Sequence, residues 1–273
     1  MKKMSLILCA LIATLVVLPV SAQSRGKNSG PTGTVTTANG QAKGGLRWRN
    51  SAKEYTVTND RGMTVTYSAD DVTNLVVDKP VELDPAIKKV MAGGAGLTSA
   101  IATLKNIASD YNHLTYDMEA TRWLADAYMK QGNATEAVKA CEDVIKTDES
   151  AAYKGEMAVI YWRALSKSGK ASRLNTLLEK AIASGDQTSA ASALVARGNA
   201  ALDRGSAVAN CREALKDGYL RVVLLYKDQP DAYAEALYMG AKAFDGMQQG
   251  ARADKLRASL KAECPTSEWA TRK

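Results

Sequence analysis

Beyond residue 97 the hydrophobic residues recur every three or four positions, as they do along one face of an α-helix. Leu97, Ile101, Leu104, Ala108 and Tyr111 form one such stripe, and the same period continues almost to the end of the chain. This spacing places successive apolar side chains on one side of a helix. The pattern therefore predicts a mainly α-helical domain over residues 84–273.

Residues 34–79 follow a different pattern, in which apolar and polar residues alternate. Leu46 and Trp48, for example, alternate with Arg47 and Arg49. A period of two is typical of a half-buried β-strand. We count four or five short strands, which predict a small β-module that is either SH3-like or a curled sheet. A module of this size is marginally stable alone, so we expect it to dock on the helical domain.

The change of period falls at Asp84 and Pro85. Aspartate is a preferred N-cap and proline a preferred first helical residue, so a first helix is predicted to begin here. It should end at the glycine-rich run 93–96, because glycine interrupts helices.

A helix–turn–helix unit recurs along the helical region. Gly132, Gly169 and Gly205 lie 37 and 36 residues apart, a period typical of stacked helical repeats. A glycine permits the left-handed backbone conformation that ends the first helix of each unit. The pattern predicts three units and a fourth whose register is degenerate, and these units must stack because one alone leaves an apolar face exposed.

Small residues mark where the two helices of a unit come close. Ala125 and Gly198 stand in first helices, and Ala137 stands in a second helix. Asn133, followed by Glu136, predicts a capped start for the second helix of the first unit.

The best of these units, WLADAYMKQGNATEAVKAC, resembles the helix–turn–helix signature of the tetratricopeptide-repeat (TPR) family. The ending ECPTSEWA is similar to the repeats of envelope members of that family, such as the Tol-Pal-linked cell-division coordinator and the repeat lipoproteins of the outer-membrane assembly machine. The resemblance covers roughly residues 97–270. It implies a right-handed α-α superhelix of three to four helical pairs, acting without catalysis as a scaffold that binds protein or peptide partners in the bacterial cell envelope.

In that family the first helices of the repeats line a concave groove where partner peptides lie. Carried over residue by residue, the resemblance implies a groove formed by Glu119, Arg122, Asp126, Met129, Lys130, Glu156, Arg163, Lys167, Asn199, Leu202, Glu235, Tyr238 and Lys242. The last three depend on the register of the fourth unit.

The N-terminus has the pattern of a secretory signal peptide. Lys2 and Lys3 precede an apolar run at 4–18, and small residues lead up to Ala22, which predicts cleavage after Ala22. The run is shorter than a membrane span. We therefore expect residues 1–22 to be removed, residues 23–33 to form a flexible linker, and the protein to be periplasmic or otherwise exported.

Charge and candidate chemistry point away from several classes. The formal charge of +7 becomes +5 when Lys2 and Lys3 are removed, which is too small an excess to favour nucleic acid. His113 is the one histidine and lacks partners at metal-ligand spacing. No nucleophile elbow accompanies it. We therefore expect neither an enzyme, nor a metal site, nor a cofactor.

The cysteines of the exported chain are odd in number, Cys141, Cys211 and Cys264. Cys141 and Cys211 fall on apolar helix faces, which favours buried free thiols, while a disulfide between any two of the three remains open.

One alternative gives the β-module the main role. It would bind glycan or peptidoglycan through Trp48, Tyr55 and Tyr67, and the solenoid would only space it from other parts of the envelope. The alternation pattern favours a Trp48 that packs in the core between exposed Arg47 and Arg49.

Overall fold

A computed structural model of the protein describes residues 30–272. The predicted signal peptide and most of the predicted linker, up to residue 29, lie outside the described residues. The first structured part is an antiparallel sheet of five strands: β1 Thr32–Thr37, β2 Gly40–Arg49, β3 Glu54–Thr58, β4 Thr64–Ser68 and β5 Val72–Val77.

The strands have the order β4-β3-β2-β1-β5, and β2 joins the two halves of the sheet. Its first half pairs with β1 up to Gly45, and its second half pairs with β3 from Gly45 onward. At the neighbouring Gly44, a Cβ atom would lie 2.1 Å from the carbonyl oxygen of Thr58, so only glycine allows this close approach. The predicted small β-module is thus confirmed as a five-stranded antiparallel sheet.

The predicted linker extends too far into the described chain. Thr32 and Gly33 already pair with Gly45 and Gly44 of β2, and the backbone N–H of Asp78 donates to Thr32. The composition of residues 23–33 resembles that of a linker, because glycine and threonine occur both in flexible linkers and in closely packed strands. Gly33 belongs to the sheet, and the close packing there requires glycine, because a Cβ atom at this position would clash with the backbone of β5 at Val76.

The sheet docks on the helical domain through its apolar face. Leu46 and Val57 are buried in the same hydrophobic core as helical residues. Trp48 packs on Tyr55 and on His113, with ring centroids 4.7 Å and 4.8 Å away. His113 lies in the loop at 111–115 of the helical domain. Arg47 is exposed. The predicted docking and the predicted orientation of Trp48 are both confirmed.

The remainder of the chain is helical. The helices are α1 Leu83–Ala92, α2 Leu97–Asp110, α3 Tyr116–Lys130, α4 Ala134–Ile145, α5 Gly155–Lys167, α6 Ala171–Ala183, α7 Gln187–Asp203, α8 Val208–Ala214, α9 Leu220–Leu225, α10 Pro230–Gly246, α11 Gly250–Glu263 and α12 Glu268–Thr271.

The first helix starts earlier than predicted. α1 begins at Leu83 with Glu82 as N-cap, so Asp84 is not the cap. Pro85 still lies in the first turn, where its missing N–H would have no helical partner in any case. Asp84 instead accepts a hydrogen bond from Lys79 Nζ at 2.6 Å.

Within the described chain the helices form five antiparallel pairs, one more than the maximum of four predicted. The first helices of the pairs, α1, α3, α5, α7 and α10, lie side by side. Each pair turns at a residue with positive φ, and these turn residues are Gly94, Gly132, Gly169, Gly205 and Gln248. The first four are spaced almost evenly along the chain, and the last interval is slightly longer. The fold is a TPR-like α-α solenoid.

The extra pair, α1–α2, uses the glycines at 93–94 as its turn rather than as a simple helix end. The fourth predicted unit, α10–α11, looked degenerate because its turn residue is Gln248, with φ 59°, instead of glycine. The predicted cap at Asn133 is confirmed, since its side chain accepts the backbone N–H of Glu136.

In the pair that begins with α7 the two helices approach closely at two glycines. Its second helix continues from α8 through a π-helical segment, Leu215–Tyr219, into α9. A Cβ atom on Gly198 would lie 2.5 Å from the ring of Tyr219, and one on Gly218 would lie 2.8 Å from the backbone of Gly198. The prediction that Gly198 marks a close approach is therefore confirmed, and Gly218 is its partner.

The described cysteines are free thiols, with Cys141 and Cys211 buried and Cys264 partly so. Burial raises the pKa of the Cys141 thiol to about 12, which makes it unreactive at neutral pH. None of the helices within residues 30–272 combines the length and the apolar character that a membrane span requires.

Candidate partner-binding surface

The predicted groove residues occupy repeated positions on the first helices. Counted back from the turn residue of each pair, they fall at the same few places from one unit to the next. Glu119, Glu156 and Glu235 share one such position, for example. The fourth unit follows the same count when Gln248 is taken as its turn residue. We call the surface that carries these positions on α1, α3, α5, α7 and α10 the concave face.

Ion pairs connect α3 and α5 across this face. Arg122 Nε lies 3.0 Å from Glu156 Oε2, and Arg163 Nη1 lies 3.6 Å from Asp126 Oδ1. These contacts bring together four residues that are far apart in sequence. They also balance one another, so this part of the face does not carry a strong charge of one sign.

Two lysines make similar connections on either side. Lys130 lies 3.4 Å from Asp126 and donates to the backbone carbonyl of Val90 in α1 at 2.8 Å. Lys167 lies 2.5 Å from Asp203 of α7. Asp203 was not among the predicted residues. It shares the repeat position of Lys130 and Lys167, so the register could have revealed it.

The contribution of the α1 unit was also missed, because that unit was not recognised. The same positions in α1 and just before it hold Val81, Asp84, Lys88 and Met91. Val81 and Met91 are 67% and 65% exposed. Met91 shares its repeat position with the predicted Met129, so exposed apolar side chains mark this end of the concave face. The available signal was the glycine run at 93–96, which precedes Gly132 by about one repeat period.

A partly buried polar network connects α7 and α10. Tyr219 donates to Asn199 Oδ1 at 2.7 Å, and Asn199 Nδ2 donates to Glu235 Oε1 at 2.9 Å. Burial raises the pKa of Glu235, although the hydrogen bond from Asn199 and the charge of Arg163 act in the opposite direction. Asn199 and Glu235 are thus tied to internal partners, and Leu202 lies half-buried nearby on α7.

One of the last predicted positions, Tyr238 on α10, packs against the chain's own C-terminal helix. The ring of Trp269 in α12 is 5.3 Å from that of Tyr238, and the charge of Lys242 lies 5.6 Å from the ring of Tyr238. A cavity of about 440 Å³ opens here between α10, α11 and α12. Basic side chains dominate its polar lining: Lys242, Arg257, Lys261 and Arg272.

A second cavity, of about 310 Å³, lies between α3 and α5 near their N-termini. Its apolar walls come from Met118 and Met157, and its polar lining comes from Glu119, Arg122 and Glu156. Met118 is 40% exposed, whereas Met157 is buried. All three of the polar lining residues are predicted groove residues.

The structure gives His113 a packing role. Its ring contacts Trp48, and its backbone N–H donates to Asp117 at 2.8 Å, which stabilises a residue held at φ 57°. Within residues 30–272, histidine, cysteine and acidic side chains form no group of three or more placed to hold a metal ion.

Comparison with known proteins adds fold-level likenesses. No family model matches the chain, and no curated protein matches it. A Podosopora anserina protein of the kinesin light chain type, with nearly identical TPR-like repeats, has a TM-score of 0.46 and 17% identity over 68% of this chain and 95% of its own. PilW, a type IV pilus biogenesis factor, has a TM-score of 0.35 and 15% identity over 70% and 96%. The description of the repeats therefore rests on the geometry of this chain.

Proposed function

We propose that this protein is an exported, non-enzymatic scaffold that binds protein or peptide partners in the bacterial cell envelope through its concave face. The observation that carries the proposal is the alignment of five first helices, whose equivalent positions place polar and exposed apolar side chains on one continuous surface. A surface of this kind suits an extended partner, because each repeat presents a similar set of contacts.

The envelope setting is supported by the N-terminal sequence rather than by the fold. Lys2 and Lys3, the apolar run and the small residues before Ala22 have the order of a secretory signal. The resemblance of the C-terminal ECPTSEWA to envelope-type repeats agrees with this setting. N-terminal sequencing of the protein purified from its own cells tests it, and we expect Gln23 as the first residue. An uncleaved Met1 would contradict export by this route.

Binding is tested by affinity capture from envelope extract with matched variants. Arg163→Glu reverses a charge in the middle of the concave face, where Arg163 lies beside Asp126. Lys139→Glu makes the same reversal on α4, a second helix, at an exposed position. We expect a captured partner to be lost with Arg163→Glu and retained with Lys139→Glu. Equal capture by both variants would remove the concave face from the proposal.

The glycan-binding alternative has weaker support in the β-module. Trp48 packs between Tyr55 and His113, so two of its three aromatic candidates hold the module against the helical domain. Tyr67 remains half-buried on β4. Sedimentation of the full mature protein with purified peptidoglycan tests this alternative. Pelleting that is lost in Tyr67→Ala would revive it.

A further inference from the structure

The cavity between α3 and α5 combines an apolar wall with an unpaired carboxylate. Met118 and Met157 form the wall, and Glu119, Arg122 and Glu156 form the polar lining. Arg122 is already engaged, because its Nε lies 3.0 Å from Glu156 and its guanidinium lies 4.5 Å from the ring centroid of Trp123. Glu119 has no ion-pair partner among residues 30–272. It is the carboxylate of this cavity that remains available to a ligand.

The surroundings do not neutralise Glu119 either. Lys79, outside the cavity, interacts with the charge of Glu119, but its Nζ is hydrogen-bonded to Asp84 at 2.6 Å. The polar lining of the cavity consists of two carboxylates, Glu119 and Glu156, and one cation, Arg122. The lining therefore carries an excess of one negative charge.

This combination selects a particular kind of side chain. An apolar ligand that covered Glu119 would leave its carboxylate without a partner and out of water, which is costly. An anionic ligand would be repelled. A lysine or arginine side chain has an aliphatic stem that can lie along Met118 and Met157 and a cationic end that can reach Glu119. Methionine is well suited to such a wall, because its flexible thioether adapts to different stems.

We infer that this cavity binds a lysine or arginine side chain of the partner, so that the partner segment entering the concave face at α3 and α5 is basic. The inference deepens the proposed scaffold function and rests on it. Met91 and Met129, at the same repeat position on neighbouring first helices, supply apolar contacts for the residues that flank the basic side chain.

Methionine methyl NMR of the full mature protein tests the site directly. Seven of the chain's nine methionines lie after Ala22, few enough for each methyl resonance to be assigned by single Met→Leu variants. The probes are the N-acetyl methylamides of arginine, lysine, citrulline and glutamate. Citrulline keeps the shape of arginine but lacks its charge, so it separates the cation from the stem.

We expect the arginine or the lysine probe to shift the Met118 and Met157 resonances saturably, with Met239 and Met247 unchanged. Citrulline and Glu119→Gln should each weaken the binding at least about tenfold. Glu136→Gln, on α4, should leave it unchanged. Equal binding of citrulline, stronger binding of the glutamate probe, or no shift at Met118 and Met157 with either basic probe would overturn the inference.

These outcomes are distinguishable from a failure of the proposed function. If partner capture depends on Arg163 while the basic probes do not shift Met118, the scaffold function stands and the basic side-chain site is wrong. If the probes bind as expected but no captured partner depends on the concave face, the site stands and the scaffold function is wrong.

Discussion

The two ends of the concave face hold equivalent residues in different surroundings. Glu119 and Glu235 stand at the same repeat position, counted back from the turns of their own units. Glu119 lines an open cavity without an ion-pair partner among the described residues. Glu235 is partly buried and accepts a hydrogen bond from Asn199, and its pKa is raised by that burial. One position thus offers a free carboxylate at one end and a structural one at the other.

The same difference extends to the neighbouring positions. Val81 and Met91, at the α1 end, are exposed, while Tyr238 of α10 packs against Trp269 of the chain's own α12. Among residues 30–272 the N-terminal end is open and partly apolar, whereas the C-terminal end is covered. A repeat register therefore predicts which residues share a face, but tertiary contacts decide which of them can meet a partner.

The largest expected effect concerns the close packing that supports the C-terminal end. Gly218→Ala would place a Cβ atom 2.8 Å from the backbone of Gly198, and a backbone cannot rotate away as a side chain can. We expect a loss of about 3 kcal/mol in the free energy of unfolding, at the upper part of the usual range for overpacking. Urea denaturation measures it. The control is Gly250→Ala, because no other part of the protein comes within 4 Å of the added Cβ atom there. It should change stability by less than about 1 kcal/mol.

A second packing variant probes the N-terminal end. Ala125 is fully buried in α3, so Ala125→Leu adds three carbons inside the first predicted unit and should cost roughly 1–3 kcal/mol. Lys139→Ala, at an exposed site, should stay within about 0.5 kcal/mol. Thermal melts of the two variants compare them. Equal melting temperatures would mean that Ala125 does not lie at a tight helix contact.

These packing sites also show how much the sequence could predict. Gly132, Gly169 and Gly205 predicted the turns because only glycine adopts their left-handed backbone without strain, and all three have positive φ. Gln248 has positive φ as well, but a glutamine carries no such signal. The fourth unit therefore looked irregular in the sequence, although its first helix follows the count of the other units.

The environment of the groove residues was less predictable for a different reason. Asp203 and Met91 follow the repeat register, so the sequence alone could have predicted their place on the concave face. The covering of Tyr238 by Trp269 and the insertion of Glu235 into a network with Tyr219 depend on contacts between separate units. Such contacts leave no mark in the period of one helix, so only the folded chain reveals them.

The covered state of the C-terminal end is tested by removing its cover. Trp269→Ala deletes the ring that packs on Tyr238. Because Trp269 is only half-buried, we expect a loss of about 1 kcal/mol, comparable to one aromatic pair. Met91→Ala removes an exposed side chain at the open end and should cost less than about 0.5 kcal/mol. Urea denaturation measures both variants. If Met91→Ala were the less stable of the two, the contrast between a covered C-terminal end and an open N-terminal end would be wrong.

Glu235→Gln tests the burial of the carboxylate at the C-terminal end through the pH dependence of stability. Burial raises the folded-state pKa of Glu235 above its ordinary value, so the folded protein favours the protonated carboxyl. The associated stability is present below the unfolded pKa and is lost as the pH rises through the folded value. Glutamine resembles the protonated form and does not titrate. The free energy of unfolding of Glu235→Gln, relative to that of the natural protein, should therefore increase between about pH 4 and pH 7.

Denaturation of both proteins at several pH values measures this difference. A relative stability of Glu235→Gln that falls as the pH rises would mean that Arg163 and Arg272, the positive groups near Glu235, outweigh its burial.

The smallest expected effect concerns the ion pairs that cross the concave face. Lys167 and Asp203 connect α5 with α7 at 2.5 Å, but their side chains are 56% and 33% exposed. Arg122 and Glu156 connect α3 with α5 at 3.0 Å, and Glu156 is 77% exposed.

Exposed pairs are screened by water and contribute about 0.2–1 kcal/mol. Double-mutant cycles with alanine, measured by urea denaturation, should therefore give couplings below about 1 kcal/mol for both pairs. A weak coupling between Lys167 and Asp203 would let these two side chains pair with a charged group of a ligand instead, at little cost to folding. A coupling well above the range for exposed pairs would instead make that pair a structural contact, and the part of the concave face that it spans would be closed to a charged ligand.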